Sequence, residues 1–204
     1  MAGSINVYNK DVMEHIRVIN PNTVLDIGPG SGKYRDILQT VSPNAQCDAV
    51  EATERYIEKF NLNQRYRKVY NKDIVDFIKQ NSIDNYDLCI LGDVLEHLFL
   101  SQVIDVLDTL AYKCKFLMLI WPSNYPQDTD VDSNYQLHKS NFFLTDLNRF
   151  NIQIYKKTFI QYYNRLPIEV HYALIAGHFV PHDQSLRTIG IDSNGYFSEV
   201  IHDV

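Results

Sequence analysis

A short apolar segment that leads into alternating glycines is the feature that most restricts the fold of this chain. Residues 24–34 read Val-Leu-Asp-Ile-Gly-Pro-Gly-Ser-Gly-Lys-Tyr, with three glycines at every second position. Glycine adopts backbone angles that other residues avoid, and it has no side chain to hold a ligand away from the main chain. The pattern therefore predicts a strand, a tight turn against a ligand, and then a helix.

Apolar residues in the rest of the chain alternate between short strand-like runs and stretches with helical periodicity. Predicted strands cover residues 23–28, 46–51, 66–70, 86–91, 116–121, 152–160 and 169–177. Predicted helices cover residues 9–19, 31–41, 53–60, 73–80, 101–112 and 140–150, and Thr53 is expected to cap the third of them. Five strands that alternate with helices predict a doubly wound sheet with right-handed crossovers, and the last two strands predict a hairpin.

In a doubly wound sheet, ligands bind beyond the carboxyl ends of the strands, at the point where the strand order reverses. The glycine turn follows strand one and lies at that point. The length fits a single domain over residues 1–204, and the sequence contains no second domain boundary. Residues 178–204 are polar and contain glycines, so we expect a tail, a lid or an oligomer arm that could pair two chains as a homodimer.

Composition and charge restrict the partners and the compartment. The 204 residues carry a net charge of −6, whereas proteins that bind nucleic acid usually present a basic stripe. We interpret the densest basic cluster, Arg65, Arg67 and Lys68, as the solvated start of a strand. The cysteines at 47, 89 and 114 form no paired motif, and the sequence has no signal core or long apolar run. We therefore expect buried thiols in a soluble cytoplasmic protein without a membrane segment.

Two nucleotide-binding patterns do not fit the glycine turn. A phosphate-binding loop, G-x-x-x-x-G-K-[ST], needs glycine in place of Ile27 and a hydroxyl residue in place of Tyr34. Without that hydroxyl, the loop would lack its magnesium ligand. A dinucleotide-binding turn, G-x-G-x-x-G, needs its third glycine where Lys33 or Arg35 stands.

The pattern D-x-G-x-G-x-G fits in full, with Asp26, Gly28, Gly30 and Gly32. At this point the chain resembles the class I S-adenosylmethionine-dependent methyltransferases, over residues 10–177. The resemblance implies a three-layer α/β fold with a seven-stranded, mostly parallel sheet whose last two strands form an antiparallel hairpin. It also implies S-adenosylmethionine as the cofactor.

The resemblance also assigns cofactor contacts to residues at the strand ends. Glu51 ends strand two, where the family places a carboxylate that accepts hydrogen bonds from both ribose hydroxyls. Asp73 follows strand three, where it would accept from the adenine amino group with Ile74 against the ring, although it could also only cap its helix. Residues 91–98, Leu-Gly-Asp-Val-Leu-Glu-His-Leu, resemble the V-L-E-H-L signature of small-molecule methyltransferases. The implied cofactor-binding set is Asp26, Gly28, Pro29, Gly30, Gly32, Tyr34, Glu51, Ala52, Asp73, Ile74, Gly92, Asp93 and Val94.

The methyl group of a sulfonium is already activated, so catalysis is chiefly in-line positioning, with a proton acceptor when the nucleophile is an oxygen. Histidine suits that role. His97, just beyond strand four, is the first candidate for a general base; the alternative is a structural histidine. His138, in the polar segment 122–139, is the second candidate, with an ordinary loop histidine as the alternative, and Asp93 is the third.

Some quinone-pathway relatives bind a divalent ion near the region that matches Glu96 and His97. The sequence contains no H-x-x-x-H or comparable carboxylate cluster, so we expect no metal.

The polar and aromatic segment after strand five is expected to form a wall of the acceptor pocket, which suits a sugar or another hydroxylated molecule. Nucleic-acid amino methyltransferases commonly carry D/N-P-P-Y after strand four, where this chain has Gly92-Asp93-Val94-Leu95. We therefore expect O-methylation of a hydroxylated small molecule or glycan precursor. The alternatives are a protein or RNA methyltransferase and a non-catalytic regulatory or scaffold subunit that binds the cofactor.

Overall fold

The computed structural model describes residues 6–80, 83–123, 137–161, 167–180 and 200–202. Its strands are β1 (Thr23–Ile27), β2 (Gln46–Glu51), β3 (Lys68–Asn71), β4 (Tyr86–Gly92), β5 (Cys114–Ser123), β6 (Asn151–Gln161), β7 (Ile168–Ala176) and β8 (Val200–His202). Its helices are α1 (Asn9–Ile19), α2 (Lys33–Val41), α3 (Glu54–Lys59), α4 (Leu62–Arg65), α5 (Ile74–Ile78) and α6 (Leu100–Lys113). Short 3₁₀ turns form at Leu95–His97 and Leu144–Leu147.

The described strands form one sheet in the order β3-β2-β1-β4-β5-β7-β6-β8. β1 pairs in parallel with β2 on one side and with β4 on the other, so the strand order reverses between β1 and β4. Ile27, the last residue of β1, lies opposite Leu91 near the end of β4. This register brings the glycine turn beside the segment that follows β4.

Alternate side chains of the central strands enter two separate apolar cores, one on each face of the sheet. On β4, Leu88 and Ile90 belong to the first core, whereas Cys89 and Leu91 belong to the second. Helices α1 to α4 contribute their apolar faces to the first core, and α5 and α6 contribute theirs to the second. Because both faces are covered, β4 and β5 are apolar over residues 88–91 and 116–121, as parallel strands at the centre of a layered domain tend to be.

The predicted fold class is confirmed: the sheet is mostly parallel, lies between helical layers, and ends in the antiparallel pair β6 and β7. Residues 162–166, which join that pair, lie outside the described residues. Val200–His202 adds an eighth, parallel strand beside β6, while residues 181–199 of the expected tail also lie outside the described residues. The three cysteines are buried free thiols, as expected. Among the described residues, no helix has the length and apolar character that crossing a bilayer requires.

The helix predicted over residues 140–150 is wrong, because only the 3₁₀ turn Leu144–Leu147 forms there. The indole Nε1 of Trp121 donates to the carbonyl of Phe142 at 2.8 Å, and the Asp146 carboxylate accepts from the Phe143 N–H at 2.8 Å. These contacts satisfy backbone groups that a helix would otherwise use. The expected cap by Thr53 is also absent, since its side chain makes no capping hydrogen bond to α3.

Candidate functional site

The glycine turn leaves β1 in a conformation that requires its glycines. Gly28, Gly30 and Gly32 have φ angles of +64°, +50° and +82°, all in the left-handed region. The Gly28 N–H donates to the carbonyl of Val50 at 2.8 Å, and the Gly32 N–H donates to the carbonyl of Pro29 at 2.7 Å. The turn is therefore tied to the neighbouring strand β2 and closed upon itself before α2 begins.

Two glycines also allow the turn and the segment after β4 to approach each other. A Cβ atom at Gly28 would lie 2.7 Å from Cγ2 of Val94, and one at Gly92 would overlap the ring and hydroxyl of Tyr34. The structure thus brings Gly28, Tyr34, Gly92 and Val94 together. Substituting either glycine would separate the ends of β1 and β4.

Arg65 binds the outer side of the glycine turn, a role that no sequence pattern indicates. Its guanidinium donates to the carbonyls of Ser31 at 2.5 Å and Gly32 at 3.0 Å, and it pairs with Asp36 at 2.5 Å. The neighbouring Arg67 pairs with the fully buried carboxylate of Asp48 at 2.6 Å. Arg67 and Lys68 are exposed, as expected for a solvated strand start, whereas Arg65 is half-buried against the glycine turn. Only contacts between residues distant in the chain reveal the clamp, so spacing could not.

Glu51 connects the end of β2 to the glycine turn. Its Oε1 accepts from the N–H of Thr53 at 2.9 Å and its Oε2 accepts from the N–H of Gly30 at 3.4 Å. Burial raises the pKa of this carboxyl, and the two N–H donors oppose the rise. Asn71 holds the same corner by donating to the carbonyls of Glu51 at 3.0 Å and Ala52 at 3.3 Å.

Asp73 caps α5, and its carboxylate accepts from the N–H of Val75 at 2.7 Å. Asp73 therefore caps α5 through one carboxylate oxygen, and its other oxygen can accept a second hydrogen bond. Ile74 is buried and packs in the same core as Val50, at the end of the adjacent strand β2. Asp73 and Ile74 thus lie beyond the carboxyl ends of β2 and β3.

Asp93 follows β4 in the left-handed conformation, with φ of +56°. This conformation is costly for a residue other than glycine and tends to occur at functional sites. A hydrogen bond from the Asp93 N–H to the carbonyl of Ile120 on β5, at 2.9 Å, holds it in place. Nearby, burial lowers the pKa of Lys33 to about 8, and the charge of Asp93 opposes that shift.

The 3₁₀ turn that follows brings Glu96 and His97 against His138. His97 Nε2 lies 3.8 Å from Glu96 Oε1, and the two histidine rings meet edge to face with centroids 5.0 Å apart. One ligand atom from each of the three side chains lies within 4.8 Å of the other two. Burial raises the pKa of Glu96 well above its usual range, and the charge of Asp93 adds to the rise. Burial, together with His97, lowers the pKa of His138 to about 4.

The segment that carries His138 is bound to the 3₁₀ turn by its main chain. The N–H groups of Lys139 and Ser140 donate to the carbonyl of Glu96 at 2.8 and 3.4 Å. The Ser140 hydroxyl donates to the carbonyl of Leu98 at 2.8 Å. The proximity of His138 to Glu96 is therefore built into the fold. The other residues of the expected acceptor wall, 124–136, lie outside the described residues.

A second histidine cluster, which the sequence reasoning missed, lies where β5 and β7 meet. The ring of His171 stacks on Trp121 with an angle of 10° between the planes, and its Nε2 lies 2.7 Å from the hydroxyl of Ser123. Its Nδ1 lies 2.8 Å from the hydroxyl of Tyr155. Burial lowers the pKa of His171 to about 4, so a neutral imidazole joins the two hydroxyls at neutral pH. The antiparallel pairing of β5 with β7 creates this contact.

Three buried polar atoms near the reversal point have no hydrogen-bond partner among the described residues: Asp26 Oδ1, the Tyr34 hydroxyl and Glu96 Oε2. Such groups are rare in folded proteins and often mark a place where a ligand binds. The other oxygen of Asp26, Oδ2, accepts from the hydroxyl of Tyr66 at 2.6 Å. Burial raises the pKa of Asp26 to about 7, and the Tyr66 hydrogen bond opposes the rise.

The raised pKa of Asp26 predicts a pH dependence of stability. The folded protein keeps a proton on Asp26 that the unfolded chain, with the ordinary pKa of 3.8, releases. The contribution of Asp26 to the free energy of unfolding should therefore fall between about pH 4 and pH 7 as pH rises, by a few kcal/mol. Asp26→Asn keeps an acceptor for Tyr66 but does not titrate. In urea unfolding across this window, wild type should lose stability relative to Asp26→Asn; parallel curves would contradict the assignment.

Several solved structures that resemble this chain are methyltransferases. The plantazolicin methyltransferase BpumL, in complex with SAH, aligns with a TM-score of 0.56 at 15% identity, covering 82% of this chain and 82% of that chain. An S-adenosylmethionine-dependent methyltransferase from Clostridium acetobutylicum aligns with a TM-score of 0.58 at 14% identity, covering 83% and 91%. A candidate O-methyltransferase from Nostoc punctiforme aligns with a TM-score of 0.55 at 15% identity over 81% of this chain. This chain spans only 55% of the Nostoc protein. No family model and no curated protein matches the chain. At these identities the likeness establishes the architecture: the chain has the fold of the class I S-adenosylmethionine-dependent methyltransferases.

Proposed function

We propose that this chain is an S-adenosylmethionine-dependent methyltransferase that methylates an oxygen of a hydroxylated small molecule or glycan precursor. The observation that carries the proposal is the glycine turn at the reversal point of the sheet. Three glycines with positive φ form a main-chain surface without side chains at that point. The buried carboxylate of Glu51 lies beside this surface and accepts a hydrogen bond from the Gly30 N–H. A main-chain surface next to a carboxylate suits an ammonium-bearing nucleoside better than a phosphate, which a carboxylate would repel.

The residues around the turn fit the cofactor from one end to the other. Gly28, Gly30 and Gly32, with Pro29 between them, would lie along the methionine portion, opposite Gly92, Asp93 and Val94. Tyr34 and Asp26 offer buried oxygens without partners close to that portion. Glu51 and Ala52 would meet the ribose, and Asp73 and Ile74 the adenine. When bound, the cofactor supplies a methyl group on a sulfonium, which is an activated electrophile.

Removal of the proton from the acceptor hydroxyl would be carried out by side chains that follow β4 in space. A hydroxyl acceptor must lose its proton when it attacks the methyl carbon, and Asp93, His97 and His138 are the candidates to accept or relay that proton. The lowered pKa of His138 keeps its imidazole neutral at neutral pH, so it can accept a hydrogen bond from a hydroxyl. The buried surroundings of Glu96 would also limit the access of water to the reacting atoms.

Two alternatives remain distinct from this proposal. A protein or RNA methyltransferase would share the cofactor site but take a macromolecular acceptor; the net charge of −6 argues against RNA. A non-catalytic regulatory subunit would bind the cofactor without transferring its methyl group. The first alternative predicts steeply salt-dependent RNA binding or labelling of a protein, and the second predicts binding without any labelled product.

Cofactor binding can be tested through Glu51. Calorimetry should show that the wild-type chain binds S-adenosylmethionine and S-adenosylhomocysteine but not NAD. Glu51→Gln should weaken that binding at least about tenfold, because the neutral amide loses a charge-assisted contact to the ribose hydroxyls. Glu54→Gln, on an exposed residue of α3, is the matched control and should bind like wild type. Equal affinity in all three proteins would refute the ribose role, and NAD binding would refute the cofactor class.

Turnover tests the residues beyond β4. With methyl-labelled cofactor and host small-molecule fractions as the acceptor source, His97→Ala and His138→Ala should lower the rate of label transfer by about 10²–10⁴-fold. Their affinity for S-adenosylhomocysteine should stay close to that of wild type. His178→Ala changes an exposed histidine and should leave the rate unchanged. If both variants transfer label at the wild-type rate, neither histidine takes part in catalysis.

A further inference from the structure

Glu96, His97 and His138 form a compact set of metal-ligand side chains beside the expected acceptor position. The set combines two imidazoles with one carboxylate, and the three ligand atoms lie within 4.8 Å of one another. Ligand atoms of these types sit about 2.0–2.2 Å from a bound zinc ion. Shifts of less than about 1 Å per side chain would therefore place all three around one ion. The geometry points to a divalent transition-metal site formed by Glu96, His97 and His138.

The orientation of His97 matches that of a metal-binding histidine. Its Nδ1 lies 3.3 Å from the carbonyl of Leu137, and because a carbonyl can only accept, Nδ1 carries the proton of this hydrogen bond. The lone pair of the neutral ring then belongs to Nε2, which is the atom 3.8 Å from Glu96 Oε1. A backbone carbonyl that fixes the tautomer in this way is a regular companion of histidine ligands.

Glu96 provides a second, independent indication of a cation. Its side chain is 3% exposed, and among the described residues Oε2 has no hydrogen-bond partner. Burying a carboxylate without a counter-charge is costly. The charge of Asp93 acts on Glu96 with the same sign and increases that cost. A bound cation would satisfy the buried oxygen and compensate both acids.

The fold holds the three ligands in place before any ion binds. Glu96 and His97 lie in one 3₁₀ turn, and the Glu96 carbonyl accepts from the N–H groups of Lys139 and Ser140. These contacts fix the chain on the C-terminal side of His138, and the hydrogen bond between His97 and Leu137 fixes it on the other side. The ligands are thus supplied by two segments that the main chain ties together.

The ligand types restrict the ion. Two imidazole nitrogens and one carboxylate oxygen suit zinc, manganese, iron(II) or cobalt, whereas calcium and magnesium prefer sites made of oxygens. Three protein ligands also leave coordination positions open, as in catalytic rather than structural zinc sites. The open positions would face the acceptor side, since the site lies just after Asp93 at the end of β4.

The role of the ion rests on the proposed function, whereas the site itself does not. An acceptor hydroxyl bound to the ion would have a lowered pKa. Its proton would pass to Asp93 or to water, and its oxygen would form the new bond to the methyl carbon. The bond between that carbon and sulfur would break, and its electron pair would stay on sulfur. His97 and His138 would then act as ligands rather than as proton acceptors.

Direct metal titration tests the site without reference to activity. The full chain, treated with a chelator and then freed of it, should bind one Zn²⁺ per molecule in calorimetry. With Co²⁺ it should develop the visible absorption of a low-coordinate, histidine-ligated ion. Glu96→Gln and His138→Ala should each weaken Zn²⁺ binding at least about tenfold and abolish the cobalt spectrum. His178→Ala, on an exposed histidine, should bind both ions like wild type.

Thermal melting of the metal-free proteins separates ligand loss from misfolding. If both ligand variants have the melting temperature of wild type and bind Zn²⁺ with wild-type affinity, the proposed site is wrong. If a variant has a lowered melting temperature, its loss of metal binding is not interpreted, and the wild-type titration alone tests the site. Failure of the wild-type chain to bind Zn²⁺ or Co²⁺ would overturn the site. Cofactor binding is measured separately, so a wild-type chain that binds S-adenosylhomocysteine but neither Zn²⁺ nor Co²⁺ refutes the metal site and leaves the methyltransferase proposal standing.

Discussion

The close approach of the ends of β1 and β4 is the constraint on which the candidate site depends. Gly28 has no side chain, which leaves room for Val94, and Gly92 has none, which leaves room for the Tyr34 ring. The parallel pairing of Ile27 with Leu91 sets the level at which both contacts occur. Each contact joins a residue of one strand end to a residue of the other, so the turn, the start of α2 and the segment after β4 form one packed unit.

Several acidic side chains are buried around this unit. Burying a carboxylate is costly, and the hydrogen bonds of the fold offset only part of that cost. Asp26 and Glu51 each have hydrogen-bond donors, yet burial raises the pKa of both. Glu96 is also buried and, like Asp26, has an oxygen with no hydrogen-bond partner among the described residues. Basic groups are held nearby, but Arg65 is used to fasten the glycine turn. A chain that binds a positively charged sulfonium cofactor and a divalent cation would gain from this excess of acid.

Features encoded locally in the sequence could be predicted, and those that depend on distant contacts could not. The apolar run of β4 and the glycine turn specify a buried strand and a left-handed turn by themselves, which is why the doubly wound sheet was predictable. The helix over 140–150 failed because Trp121 and Asp146 use backbone groups of Phe142 and Phe143. That competition comes partly from another strand and is invisible to periodicity.

The same distinction applies to the candidate site. The residues of the implied cofactor set lie at strand ends or in the turns and helix starts that follow them, so their places follow once the strands are known. The contact of His138 with Glu96 requires a long segment to return to the turn after β4, and its main-chain hydrogen bonds leave no sequence signature. The Arg65 clamp and the Ser123–His171–Tyr155 cluster are of the same kind. Contacts between side chains that are distant in the sequence were not predicted, even where neighbouring residues were identified as site candidates.

Hydrogen exchange measured with and without S-adenosylhomocysteine would show where on the chain the cofactor binds. Bound cofactor should slow amide exchange in the glycine turn at 28–34, in the corner at 51–53 and in the segment at 92–97, which meet at one edge of the sheet. Exchange in α6 and at the far ends of the strands should change little. Unchanged exchange at 28–34 in the presence of saturating S-adenosylhomocysteine, or protection confined to another part of the sheet, would contradict the account.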